Sequence, residues 1–165
     1  MKAKSLGILV VALLLLTAIS VTLVVFIEYA KEKFPEDITV SSEGVTESIL
    51  PIRDLRLNPS ESREYRVNLY CRASGSYLVT LDFLEELDGG MKEFVNVRVS
   101  CDGTEVFFGS LNGLFEEGSH VEFESELSGE HPVVLSVVYE MPREIGNEAQ
   151  GTYADFNIHL QVKKT

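Results

Sequence analysis

Short stretches in which apolar and polar residues alternate recur from Val45 to the end of this chain, with turn residues between them. Because side chains on a β-strand point alternately to opposite faces, a period of two is typical of strands that bury one face. Such segments occupy residues 48–57, 64–73, 76–84, 94–101, 104–111, 119–127, 132–141 and 153–162. Many short strands separated by turns predict an all-β, jelly-roll-like antiparallel β-sandwich.

The alternation also predicts which side chains fill the space between the two sheets. In the last segment the inward set is Ala154, Phe156, Ile158, Leu160 and Val162. The segment 132–141 is almost entirely apolar, which is typical of a central strand. The stretch "GSLNGLFEEGS" breaks the alternation and predicts one short helical turn.

A run without charged residues extends from Leu6 to Ile27, upstream of these segments. It is long enough to cross a hydrocarbon core of about 30 Å as a helix. Lys2 and Lys4 precede the run, so the positive-inside rule places the N-terminus in the cytoplasm. The alternative is a signal peptide cleaved after the small residues around Ala18.

These features predict three parts in the chain. Residues 1–27 are expected to form one N-terminal transmembrane signal-anchor helix or a signal peptide. Residues 28–44 read as a stalk or linker, because they mix charges with Pro35 and small polar residues. Residues 45–165 are then a β-sandwich ectodomain. The expected location is the cell membrane, single-pass with the C-terminal domain outside, or the exterior after cleavage.

The formal net charge of −12 limits the partners of this domain. Nucleic acid is excluded as a partner because its phosphates would be repelled. An anionic lipid surface is an unfavourable partner for the same reason.

No residue pattern predicts catalysis. His120, Glu122 and Glu124 alternate along one strand and could face a divalent metal together, but the H-E-x-x-H motif is missing. We interpret them as a solvated strand face. Asp88-Gly89-Gly90 is interpreted as a hairpin turn. We therefore expect no catalytic residues, no cofactor, no metal site, no small-molecule substrate and no enzymatic activity.

The two cysteines, Cys71 and Cys101, fall on inward-facing positions of their strands. In an exported domain a cysteine pair is more often bridged than free, so they are candidates for a disulfide. The alternative is two buried thiols that never meet. Strand adjacency decides between the two, and the alternation does not give strand order.

Two segments resemble the TasA/camelysin family of secreted biofilm-matrix proteins. The first matches the family's "L-x-P-G-[DE]" turn through Leu57, Pro59 and Glu61, with Ser60 in place of glycine, and its "N-x-G-[ST]" turn through Gly75 and Ser76. The second, "IGNEAQGTYADFNIHLQV", resembles the family's closing "N-x-Y-Q-G-x-[ST]" turn and last strand. The resemblance marks residues 146–151 as a structural turn in which three residues can take positive φ: Gly146, Asn147 and Gly151. Gln150 is the other match in this turn.

The resemblance implies a jelly-roll fold and extracellular fibres, and related archaeal bundling pilins assemble by donating an N-terminal strand. We therefore expect a structural extracytoplasmic surface protein: a fibre subunit or a membrane-tethered envelope module. Its expected partners are the membrane, through residues 6–27, and further copies of itself, through strand addition. The alternative is a ligand- or partner-binding accessory ectodomain. A metal-dependent protease of the camelysin type is a weaker alternative, because no zinc motif is present.

Overall fold

Two β-sheets pack face to face in the computed structural model, which describes residues 35–165. Sheet A has the strand order β1-β3-β8-β5-β6 and sheet B the order β2-β9-β4-β7. The strands are β1 Asp37–Val40, β2 Val45–Leu55, β3 Ser62–Cys71, β4 Gly75–Gly89, β5 Asn96–Cys101, β6 Thr104–Ser110, β7 Val121–Leu127, β8 Val133–Glu140 and β9 Tyr153–Lys164. One short helix, α1 (Leu111–Leu114), and two 3₁₀ turns, Met91–Glu93 and Asn147–Ala149, complete the described part.

The predicted all-β, jelly-roll-like sandwich is confirmed. Every strand pair is antiparallel except β1 with β3, which is parallel. All eight predicted strands are present, and α1 is the predicted helical turn. The proposed anchor helix lies outside the described residues, and within residues 35–165 no helix is long and apolar enough to span a bilayer.

The inward faces follow the alternation. Ala154, Phe156, Ile158, Leu160 and Val162 are all buried along β9. At the centre of the core the Phe156 ring lies 5.6 Å from that of Tyr139 and 5.5 Å from that of Phe115. Strand β8, almost entirely apolar, is the middle strand of sheet A, as predicted.

The expected stalk contains a ninth strand. β1 pairs with β3 along one edge of sheet A, and its Ile38 and Val40 side chains are buried in the core. Asn68 ties it in place: its backbone N–H donates to Glu36 O at 2.7 Å, and its side chain to Asp37 Oδ1 at 2.8 Å. The sandwich therefore begins before residue 45, where the sequence pattern had placed its start.

The predicted Cys71–Cys101 disulfide is not formed, and both residues are free, buried thiols. Cys71 ends β3 and Cys101 ends β5, and β8 lies between these two strands. Two strand spacings of about 4.8 Å already exceed the Cα separation that a disulfide spans. The structure matches the alternative prediction, in which the two buried thiols are not close enough to bond.

The predicted hairpin at Asp88-Gly89-Gly90 is also wrong. β4 belongs to sheet B and β5 to sheet A, so the segment crosses between sheets. Asp88 Oδ1 accepts a hydrogen bond from the Gly90 N–H at 2.7 Å, and Gly90 has φ +85°. Asp88 and Gly89 are the last paired residues of β4, and the left-handed residue of the turn is Gly90.

Candidate functional site

A cleft of about 280 Å³ opens at one end of the sandwich, between the β2–β3 connection and the β8–β9 connection. Strand pairing in both sheets brings these connections together. In sheet B the end of β2 meets the start of β9, where Leu55 pairs with Ala154. In sheet A the start of β3 meets the end of β8, where Ser62 pairs with Glu140. The residues that line the cleft are Arg56, Leu57, Asn58, Pro59, Gly146, Asn147, Ala149, Gln150, Gly151 and Thr152.

One wall is a type II turn over Asn58–Glu61. The Glu61 N–H donates to Asn58 O at 2.9 Å, Pro59 supplies the second position and Ser60 has φ +69°. Asn58 is held further by Glu61, whose Oε2 accepts from the Asn58 backbone N–H at 2.7 Å and from Nδ2 at 2.8 Å. The amide oxygen of Asn58 is therefore left as an acceptor beside the cleft.

The opposite wall is the turn that precedes β9. The Gln150 N–H donates to Asn147 O at 3.0 Å, and Thr152 Oγ1 donates to Ala149 O at 2.7 Å. Gly151 has φ +79°, as the sequence predicted, but Gly146 has φ −87° and Asn147 is not among the residues with positive φ. Asn147 instead begins a 3₁₀ turn, so its conformation does not depend on a left-handed preference.

Arg56 lines the cleft with an exposed side chain that makes two contacts. Its Nε donates to Asp54 Oδ1 at 2.6 Å, and its guanidinium carbon is 5.4 Å from the Tyr153 ring centroid. The hydrogen bond and charge of Asp54 raise the pKa of Arg56. Because Asp54 binds only Nε, the two terminal nitrogens of the guanidinium remain available as donors.

No carboxylate residue is part of the cleft lining, although Glu61 bonds to Asn58, Asp54 bonds to Arg56 and the Glu148 carboxylate lies beside Gly146. Asn147 and Gln150 are exposed, and their side-chain amides form no hydrogen bond to any described residue. Pro59 adds exposed apolar surface to the lining, whereas Leu57 and Ala149 are buried. The cleft therefore presents amide donors and acceptors and one guanidinium beside a small apolar area.

The other residues singled out from the sequence do not join this site. His120, Glu122 and Glu124 are exposed, at and just before β7, as expected for a solvated face. No group of three or more histidine, cysteine, aspartate or glutamate side chains in residues 35–165 is arranged to hold a metal ion. Burial raises the pKa of both the Cys71 and the Cys101 thiols, so neither is activated as a nucleophile.

The sequence analysis singled out residues in both walls of the cleft but did not predict that these residues form a cleft. Pro59 and Glu61 were singled out on one side, and Asn147, Gln150 and Gly151 on the other. Arg56 and Asn58 were missed. The cleft could not be predicted because the pairing of β2 with β9 was unknown, and this pairing brings together residues that lie about 90 positions apart in the sequence.

No family model matches this sequence, and no curated protein matches it. Its fold is similar to the C-terminal domain of EclA, a sugar-binding protein, with 20% identity over 72% of this chain and 79% of that chain and a TM-score of 0.46. It is also similar to a family 35 carbohydrate-binding module from Clostridium thermocellum, at 12% identity over 74% of this chain and all of that chain, with a TM-score of 0.41. A β-glucosidase from Paenibacillus barengoltzii matches over 11% of its own length, with a TM-score of 0.38. Similarities this distant assign neither a family nor a ligand to this chain.

Proposed function

We propose that residues 35–165 form a ligand-binding accessory module, rather than an enzyme, and that the end cleft is its binding site. The observation that carries the proposal is the pair of exposed amides, Asn147 and Gln150, whose side chains bond to no described residue and which line the same cleft. Binding sites for small ligands typically combine apolar lining with a few convergent polar groups. This arrangement is built into two turns that both sheets hold together.

The chemistry favours a neutral, polyhydroxylated ligand of the saccharide class. A carboxamide offers both a donor and an acceptor, and a hydroxyl group needs both. The aliphatic face of a sugar ring suits the exposed surface of Pro59, while Arg56 and Asn58 add one donor group and one acceptor.

The test is calorimetric titration of the full chain with a panel of neutral mono- and oligosaccharides. At least one saccharide is expected to bind, and the double variant Asn147→Ala/Gln150→Ala is expected to weaken that binding at least tenfold. Two lost hydrogen bonds of about 1 kcal/mol each give an effect of this size. The matched control is Asn112→Ala in α1, an amide outside the cleft.

Two results would contradict the proposal. One is that no saccharide in the panel binds. The other is that the double variant binds as tightly as the parent while its thermal midpoint is unchanged.

The fibre-subunit hypothesis remains a prediction about assembly, and the free sheet edges bear on it. Edge strand β2 carries Pro51, which has no N–H to offer a neighbouring strand. Edge strand β7 carries Glu122, Glu124 and Glu126. Both features discourage strand addition to sheet B. The predicted membrane contact, through residues 6–27, lies outside the described residues.

A further inference from the structure

Most of the large apolar side chains that are strongly exposed in residues 35–165 lie on the outer face of sheet B. Six large apolar side chains are strongly exposed in these residues, and four of them lie on this face: Val45, Ile49, Leu84 and Leu87. The strand register places Ile49 opposite His159 and Leu84 opposite Asn157, which are outward positions of β9. None of the described elements covers them. Ile49, the most exposed, has 61% of its surface open to solvent.

The same face carries unpaired negative charge. Glu122, Glu124 and Glu126 alternate along β7 with buried or half-buried residues, so all three point outward. None forms an ion pair with another described residue. Asp82 extends the acidic surface toward β9, whereas Glu47 pairs with His159 at 3.8 Å and the exposed Lys163 is a cation on the same face.

The outer face of sheet A lacks this combination. There Glu64 pairs with Arg66 at 2.8 Å, and Arg98 bonds to both Glu105 and Glu140. The exposed ring of Phe108 is covered on one side by the Arg98 guanidinium, 4.8 Å from its centroid. The outer face of sheet B also holds ion pairs, Arg53 with Glu86 at 3.0 Å and His159 with Glu47 at 3.8 Å, but its β7 glutamates have no such partner among the described residues.

We propose that the outer face of sheet B is a docking surface for a basic protein segment that carries apolar residues next to its lysines or arginines. The apolar side chains would lie on Ile49 and Leu84, and the cationic side chains would pair with Glu122, Glu124 and Glu126. Across the sheet the surface spans the four strands from β2 to β7, about 14 Å at the usual strand spacing. The three glutamates extend along β7 over a similar distance, so about eight to ten extended residues cover both directions.

Charge complementarity selects this occupant over a second copy of the chain. With a net charge of −12, two copies would bring like charges together on this face. Protection of the β7 edge against aggregation is a second role that glutamates can have. That role does not explain why the apolar side chains of Ile49 and Leu84 are exposed, because exposed apolar residues favour aggregation.

The probe for the test is a dye-labelled ten-residue peptide that alternates valine with threonine in its first half and lysine with threonine in its second. The full chain is held in nanodiscs of uncharged lipid, with empty nanodiscs as the blank, and binding is followed by fluorescence anisotropy. The triple variant Glu122→Gln/Glu124→Gln/Glu126→Gln is expected to weaken binding at least tenfold. Raising the salt concentration is expected to weaken binding to the parent protein, because exposed charges are screened.

The matched control makes the same charge change away from this face, in the exposed residues Glu93, Glu130 and Glu144. The control variant Glu93→Gln/Glu130→Gln/Glu144→Gln is expected to bind the probe within twofold of the parent. Equal losses in the two triple variants would show a general charge effect and overturn the proposal. Absence of probe binding, or equal binding of a peptide with glutamates in place of the lysines, would also overturn it.

The apolar half of the surface has its own pair of variants. Ile49→Thr is expected to weaken probe binding at least threefold, whereas Tyr70→Thr, at an exposed position of sheet A, is expected to leave it unchanged. If both changes have the same effect, the apolar residues of sheet B take no part in docking.

Discussion

Two buried tyrosines have opposite hydrogen-bonding states. Tyr77 and Tyr139 are both fully buried, but the Tyr77 hydroxyl donates to Ala73 O at 2.7 Å, whereas the Tyr139 hydroxyl has no partner among the described residues. Burial raises the pKa of Tyr139 well above its ordinary value, so its hydroxyl stays protonated. A buried polar group without a partner costs stability.

Tyr139→Phe is therefore expected to raise the free energy of unfolding by about 1 kcal/mol, since it removes an unpaired hydroxyl and keeps the ring contacts. Tyr77→Phe, the matched control, is expected to lower it by about 1 kcal/mol because it removes a satisfied bond. Urea unfolding of the full chain measures both. A loss of stability in both variants would mean that the Tyr139 hydroxyl has a partner.

Ser60 occupies the position of the type II turn that favours glycine, with φ +69°. Ser60→Gly is expected to raise the free energy of unfolding by about 0.5–1 kcal/mol, because glycine adopts this conformation without a steric cost. Ser62→Gly, two residues later in β3, is expected to lower it by a similar amount. Thermal unfolding of the two variants checks this, and a destabilised Ser60→Gly variant would contradict the assigned turn.

At the level of single elements, β1 shows how a short strand can belong to the core. Val40 is fully buried and Thr39, beside it, is exposed. Val40→Ala is expected to cost about 2 kcal/mol of stability from lost burial and cavity formation. Thr39→Ala is expected to change stability by less than about 0.5 kcal/mol. If both variants show equal, small effects in denaturant unfolding, residues 37–40 do not pack in the core and belong to the stalk.

The separation of β3 from β5 by β8 has a chemical consequence. At pH 8 both thiols are expected to react slowly with iodoacetamide in the folded chain, because burial raises the pKa of each and limits access. In denaturant without reductant, intact-mass analysis is expected to show two added groups. No addition under those conditions would demonstrate a disulfide and contradict the strand order.

How far the sequence predicts these elements depends on the range of the interaction. The inward phase of β9 follows from local alternation, because a period of two forces every second side chain to the same face. β1 was not predicted because its four residues, Asp37–Val40, are too few to show a period. The order of β3, β8 and β5 was not predicted either, since periodicity says nothing about which strands are neighbours.

At the scale of the whole sandwich, the two proposed surfaces lie on different parts of residues 35–165. The end cleft is built from connections and lined by amides and one arginine, whereas the outer face of sheet B is built from strands and carries the glutamates of β7. The turn before β9, which the sequence suggested was structural, is also one wall of the cleft. Its dual role could not be read from sequence, because the opposite wall comes from the β2–β3 connection.

The most direct test of the claim that the end cleft binds a saccharide is amide chemical-shift mapping. The ¹⁵N-labelled full chain is titrated with a saccharide that binds in the calorimetric panel. The end cleft predicts the largest shifts in residues 56–60 and 146–152, with little change on the outer face of sheet B. The largest shifts on β7 or β2, or shifts spread evenly over the sandwich, would contradict the assignment of the cleft as the binding site.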